Sequence, residues 1–125
     1  AEKNLEIVGL SHLMNEKAEN LSTGQKKLLE LGRILMMKPK LILLDEPAAG
    51  INPTLIKNLS KVILDINKKQ KIDFLIIEHN MDFIMSISDE VIVMAEGQTL
   101  VKGPPKEIQK NQKVLNSYLG YSQND

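Results

Sequence analysis

The sequence predicts an α/β fold, a mostly parallel sheet flanked by helices, and three observations predict it. Two short apolar runs, "LILL" at Leu41 to Leu44 and "DFLII" at Asp73 to Ile77, have strand length and little alternation, the pattern of strands buried on both faces. A long amphipathic helical pattern lies between them, enough chain for a right-handed crossover. After a further short helical stretch comes "VIVMA", so strand, helix, strand, helix, strand follow one another.

In chain order, Glu2 to Val8 reads as a short helix stopped by Gly9, and "SHLMNEKAEN" as a polar stretch of broken periodicity. A helix follows from about Ser22 to Met37. Ser22 and Gln25 have capping-box spacing, Leu28, Leu31 and Leu35 recur on one face, and Pro39 follows the end. Gly32 lies on that apolar stripe, which predicts close packing against a neighbour. In the next helix Asn52 caps, Pro53 takes the first helical position, and Leu55, Ile56, Leu59, Val62, Ile63 and Ile66 form one face. "NMDFIMSIS" reads as a short helix, and "EVIVMAEGQTLVKG" as a hairpin turning at "EGQ". Two small helical segments, "PPKEIQK" and "QKVLNSYLG", close the pattern, and the tail "YSQND" is expected to fray.

Composition narrows the function. Lys+Arg and Asp+Glu are balanced at 16 each, so no net field attracts nucleic acid or an anionic membrane. The only aromatics are Phe74, Phe83, Tyr118 and Tyr121, too few for a base-stacking platform. No nucleic-acid partner is expected. Cysteine is absent, which excludes thiolate metal sites. The charged opening is read as neither signal nor transit peptide, and no stretch has the length to span a bilayer, so a soluble chain is expected. Lys68, Lys69 and Lys71 read as a solvated helix end that suits the dipole, and His12 as surface.

Polar residues gather where the apolar runs end. Asp45 and Glu46 end one strand, Glu78 and His79 the next, and open α/β sheets bind ligands at that edge. An acidic turn after a buried strand is ordinary by itself. The chemical alternative divides the work: Asp45 holds Mg2+ through its water shell, while Glu46 orients a water for in-line attack on a phosphate. "LSTGQ", Leu21 to Gln25, is equally ordinary as a capping box, yet a helix start with a serine hydroxyl, a glycine and free amide donors is also an anion site. His79 alone would pass for a structural histidine, or its imidazole could reach a terminal phosphate.

Taken in order, "LSTGQ", a helix of about four turns, "LILLDEP", "AAGINP" and a strand ending in "EHN" resemble the carboxyl-terminal half of an ABC-type ATPase domain. The signature, second Walker motif, D-loop and switch histidine fall in family order. The resemblance covers essentially the whole chain and implies a partial P-loop NTPase-type sheet, mostly parallel and flanked by helices, with part of the helical subdomain at the amino terminus. "AAGINP", "IIEHNM" and "GPPKEIQKNQKVLNSYLG" look most like importer subunits that drive branched-chain amino-acid uptake.

The resemblance implies ATP and Mg2+ as ligands of the complete domain, with Mg2+ on Asp45, the catalytic water on Glu46 and a phosphate contact from His79. Leu21, Ser22, Thr23, Gly24 and Gln25 would meet the ATP held by an opposite ATPase subunit in a head-to-tail dimer. Ala49, Gly50, Ile51 and Asn52 would form the D-loop at that contact. It further implies transmembrane permease subunits as partners and a peripheral place on the cytoplasmic face of the cell membrane. Departures are few: Thr23 stands for the usual glycine and Asn52 for a frequent aspartate, while Lys27 and Gly32 differ mildly in the signature helix.

About residues 1–38 are expected to belong to the helical subdomain and signature helix, and about 39–125 to the core half. The phosphate-cradling motif G-x-x-x-x-G-K-[ST] occurs nowhere. The expectation is therefore a second half of a larger domain, inactive alone because carboxylates repel a nucleotide whose cradle is missing. On the family fold, the missing strand leaves unpaired edges and an uncovered apolar face, and the chain is expected to self-associate. The alternative is a stand-alone, non-catalytic interaction module that keeps these motifs as relics.

Overall fold

The computed structural model describes residues 1–119, which form two compact units divided between Phe83 and Ile84. The first unit begins with helix α1 (Glu2–Ile7), whose chain turns at Gly9 with φ of 74°, followed by 3-10 turns at Ser11–Leu13 and Ala18–Asn20. Helix α2 (Thr23–Leu35) starts on the expected capping box. Ser22 Oγ accepts from Gln25 N at 3.3 Å, and Ser22 N donates to Gln25 Oε1 at 2.9 Å. Two orphan amides are thereby satisfied, an arrangement worth about 1 kcal/mol. Leu28, Leu31 and Leu35 are buried along one stripe with Gly32. A Cβ on Gly32 would stand 3.3 Å from Val8 Cγ2, so glycine here allows α1 to approach α2, as the sequence indicated.

Strands β1 (Leu41–Asp45) and β2 (Asp73–Ile77) pair in parallel, Leu41 opposite Asp73 through Asp45 opposite Ile77. Helix α3 (Pro53–Gln70) connects them, capped by Asn52 Oδ1, which accepts from Leu55 N at 2.9 Å. It buries Leu59, Ile63 and Ile66, each contributing about 1.5–3 kcal/mol. Lys71 ends it in the left-handed conformation, and Lys68, Lys69 and Lys71 are exposed, as expected of a solvated end. Asp65 and Lys69 pair at 3.3 Å across one turn.

Burial of the two strands departs from the two-sided burial that their apolar runs suggest, and leaves open an apolar face of the kind the resemblance implies. Ile42 is buried and Leu44, Phe74 and Ile76 are partly covered, but the opposite face leaves Leu41, Leu43, Leu75 and Ile77 between 53% and 66% exposed. Side chains alternate across a strand, so the continuous apolar run places half its residues on a face that nothing in the described residues covers.

Helix α4 (Met81–Ile87) runs across the division into the second unit, where β3 (Val91–Ala95) and β4 (Gln98–Gly103) form an antiparallel hairpin. Glu96 and Gly97 make its two-residue turn, both with positive φ, and the register slips between Val93 and Met94. Among the described residues the third strand of the alternating pattern thus pairs within this hairpin, and the parallel sheet has two strands. Helices α5 (Pro105–Ile108) and α6 (Gln112–Leu119) follow, burying Ile108 and Val114. The glycine stop expected after α6 and the tail "YSQND" lie outside the described residues.

Candidate functional site

At the carboxyl edge of β1 the ladder continues one residue past the strand, Glu46 N donating to Ile77 O at 2.9 Å. Glu46 then turns with φ of 45°, a left-handed conformation that crowds a residue carrying Cβ. The turn aims its carboxylate at the end of β2. Glu46 Oε1 lies 3.3 Å from His79 Nδ1, with the two side chains 54% and 71% exposed. Asp45 precedes Glu46 and is exposed. Three of the residues singled out by sequence therefore stand together at one sheet edge.

Glu78 is the buried carboxylate of the edge, its side chain 1% exposed. Its Oε1 accepts from Ala48 N at 2.7 Å, and its Oε2 accepts from His79 N and Asn80 N at 3.0 Å each. Asn80 Oδ1 in turn accepts from Phe83 N, opening α4. From the other side comes Lys27 on α2. Its Nζ donates to Ala49 O at 2.6 Å, Pro47 O at 2.9 Å and Glu46 O at 3.4 Å. The sequence reading placed Glu78 at a strand end and noted Lys27 as a departure, but gave neither a role. The three carbonyls that Lys27 meets lie 19 to 22 residues away and the Ala48 amide that Glu78 meets lies 30 away, beyond any local pattern.

The residues Leu21 to Gln25 do not join this cluster. Among the described residues no hydrogen bond or ion pair links their side chains to Asp45, Glu46 or His79. Ser22 and Thr23 are exposed at the tip of α2, whereas Leu21 and Gly24 are buried. A Cβ on Gly24 would collide with Leu55 Cδ1. Glycine here lets α2 approach the first turn of α3, a packing reason beside the expected one of ligand approach. Ala49 and Gly50 are exposed, Ile51 is half-buried, and Gly50 has φ of 71°. Asn52 is committed to its cap.

Among the described residues no three His, Asp or Glu side chains are grouped to hold a metal ion. One exposed carboxylate does not make a protein cage. It fits an ion such as Mg2+, which keeps several waters and takes its remaining ligands from substrate phosphates. A separate cleft of about 820 Å3, lined by Asn4, Ile7, Leu35, Met36, Asp65 and Lys69 among others, includes none of these residues.

Comparison with known proteins agrees with the α/β fold. Residues 1–49 match the family described as ABC transporter. Over nearly its whole length the chain is similar to a portion of ABC transporter ATP-binding proteins. Its homologues include the probable branched-chain amino acid transport ATP-binding protein LivG of Archaeoglobus fulgidus, 41% identical over 93% of this chain and 45% of the relative. The high-affinity branched-chain amino acid transport ATP-binding protein BraF of Pseudomonas aeruginosa is 40% identical over 93% of this chain and 46% of that protein. Among solved structures, the ADP conformation of MJ1267, an ATP-binding cassette of an ABC transporter, superposes with a TM-score of 0.85 at 42% identity, over 94% of this chain and 48% of that one. The chain thus spans about half the length of the relatives it matches.

Proposed function

We propose that this chain is the carboxyl-terminal half of the ATP-binding subunit of an ABC importer for branched-chain or related amino acids. The observation carrying the reading is the meeting of Glu46 and His79, 3.3 Å apart, directly after Asp45 at the edge of a parallel strand pair. The names of the homologues support the importer class and the solute.

In the assembled site Glu46 accepts a proton from the attacking water and aims it in line with the bond to be broken. With Nδ1 turned towards Glu46, His79 keeps its other ring nitrogen for a γ-phosphate oxygen, to which it donates when both nitrogens carry protons. Asp45 would hold Mg2+ through its water shell, and the ion would supply positive charge against the phosphates. Leu21 to Gln25 meet the ATP of the opposite subunit. The exposed Ser22 hydroxyl and the first-turn amides of α2 are its donors, and the helix dipole favours the anion. Ala49, Gly50, Ile51 and Asn52 line the contact between subunits. The remaining polypeptide supplies the phosphate loop, and the chain without it does not turn over ATP. In the cell the whole subunit sits on permease subunits at the cytoplasmic face of the membrane; among the described residues no helix is long and apolar enough to cross one.

The test joins this chain to the complementary half of a homologous subunit and measures Mg2+-dependent ATP hydrolysis. The joined polypeptide hydrolyses ATP, the chain alone does not, and Glu46→Gln lowers turnover by roughly 10^2 to 10^4. Unchanged turnover in Glu46→Gln would remove Glu46 from the proposed role. Hydrolysis by the chain alone would overturn the half-domain reading.

A further inference from the structure

The two side chains assigned to the chemistry are exposed, so something other than their own packing must fix them. Glu46 and His79 are 54% and 71% open to solvent, and an exposed pair of this kind restrains little by itself. Yet the backbone under Glu46 is held in a conformation that a residue with a Cβ avoids. The restraint must come from the groups around it.

The geometry points to Lys27 and Glu78 as positioning residues for the segment that carries Glu46. An ammonium has three N–H donors and no acceptor, and Lys27 meets three carbonyl oxygens of that segment: Glu46, Pro47 and Ala49. A carboxylate has two acceptor oxygens, and Glu78 divides them between Ala48 N on one side and His79 N and Asn80 N on the other. The segment is therefore gripped through its carbonyls by helix α2 and through an amide by the end of β2. Glu78 joins the backbone of Ala48, two residues past Glu46, directly to that of His79. Lys27 lies one turn into the helix that Ser22 caps, so it ties that helix to the segment carrying Glu46 in the same chain. Hydrogen bonds to charged groups are the strong ones, and Glu78 is shielded from water.

This inference rests on the functional reading above, because positioning has catalytic meaning only if Glu46 and His79 act on a nucleotide. Its test has two arms. On the chain itself, amide exchange is followed residue by residue. Glu78→Ala speeds exchange at Ala48 and Asn80, and Lys27→Met at Glu46 and Ala49, by roughly tenfold or more, while Ile63 and Ile66 within α3 hold their rates. Exchange unaltered at those amides, or raised evenly through the first unit, overturns the clamp. On the joined polypeptide, Lys27→Met lowers kcat by roughly tenfold with KM for ATP within about twofold, since misplacement harms chemistry more than binding. Lys27→Arg recovers most of that loss, because a guanidinium also presents several donors. Equal loss in the Arg and Met variants, or a change in KM alone, contradicts the positioning role. A joined wild type that hydrolyses no ATP sinks the functional reading alone, and the exchange arm then decides the clamp.

Discussion

Two glutamates that directly follow strands share an uncommon backbone conformation: Glu46 after β1, with φ of 45°, and Glu96 after β3, with φ of 50°. Their reasons differ. Glu96 is the first residue of a two-residue hairpin turn, where the twist of the flanking strands demands positive φ at both positions and Gly97 supplies the second at 76°. Topology alone accounts for it. Glu46 lies in no hairpin. Its conformation is held by the ladder bond to Ile77 O and by the Lys27 ammonium on its own carbonyl, and the outcome is a carboxylate placed beside His79. A strained residue whose conformation the chain path does not require, and whose side chain meets another polar group at a sheet edge, is a better candidate for function than one in a tight turn.

The same substitution at both positions breaks the comparison most sharply. Asparagine tolerates positive φ, so it relieves the backbone at either site. In the joined polypeptide Glu46→Asn lowers ATP turnover by roughly 10^2 or more, since the shorter amide cannot take a proton from water, while Glu96→Asn leaves turnover within about twofold. Equal loss at both positions would place the two turns on the same footing.

The next effect concerns association. Leu43 opposes Leu75 on the uncovered face of β1 and β2, 66% and 56% exposed, and a bare apolar face beside unpaired edges recruits further polypeptide. The chain alone sediments as dimers or larger species at micromolar concentration, and Leu43→Lys with Leu75→Lys shifts it to monomer by roughly tenfold in dissociation constant. A monomeric wild-type chain would show that this face needs no cover. The smallest effect is on stability: Glu96→Asn completes an Asn-Gly turn and raises the unfolding free energy by about 0.5 kcal/mol, read from the denaturant midpoint.

What could be read in the sequence was local. The capping box of α2 needs only Ser22 and Gln25, the start of α3 only Asn52 and Pro53, and the hairpin only a turn between two β-rich runs. Gly32 announced its close contact because a glycine on an apolar helical stripe has few other reasons to be there. The open face of β1 was not legible in the residues themselves: four leucines and isoleucines in a row read alike whether one face is covered or two. Asp45, Glu46 and His79 were legible as strand ends. Lys27 and Glu78 were not, since the carbonyls that Lys27 meets and the Ala48 amide that Glu78 meets are backbone atoms far along the chain, and backbone atoms leave no mark in the sequence.

The central claim is that the tip of α2 from one copy completes the acidic corner of another. It is tested most directly by mixing two inactive joined polypeptides, Glu46→Gln and Ser22→Arg. If each site draws its Glu46 and its Ser22 from different copies, a mixed dimer carries one doubly defective site and one intact site, and turnover recovers to about a quarter of wild type at random pairing. No recovery, with mixed dimers shown to form, would contradict the account.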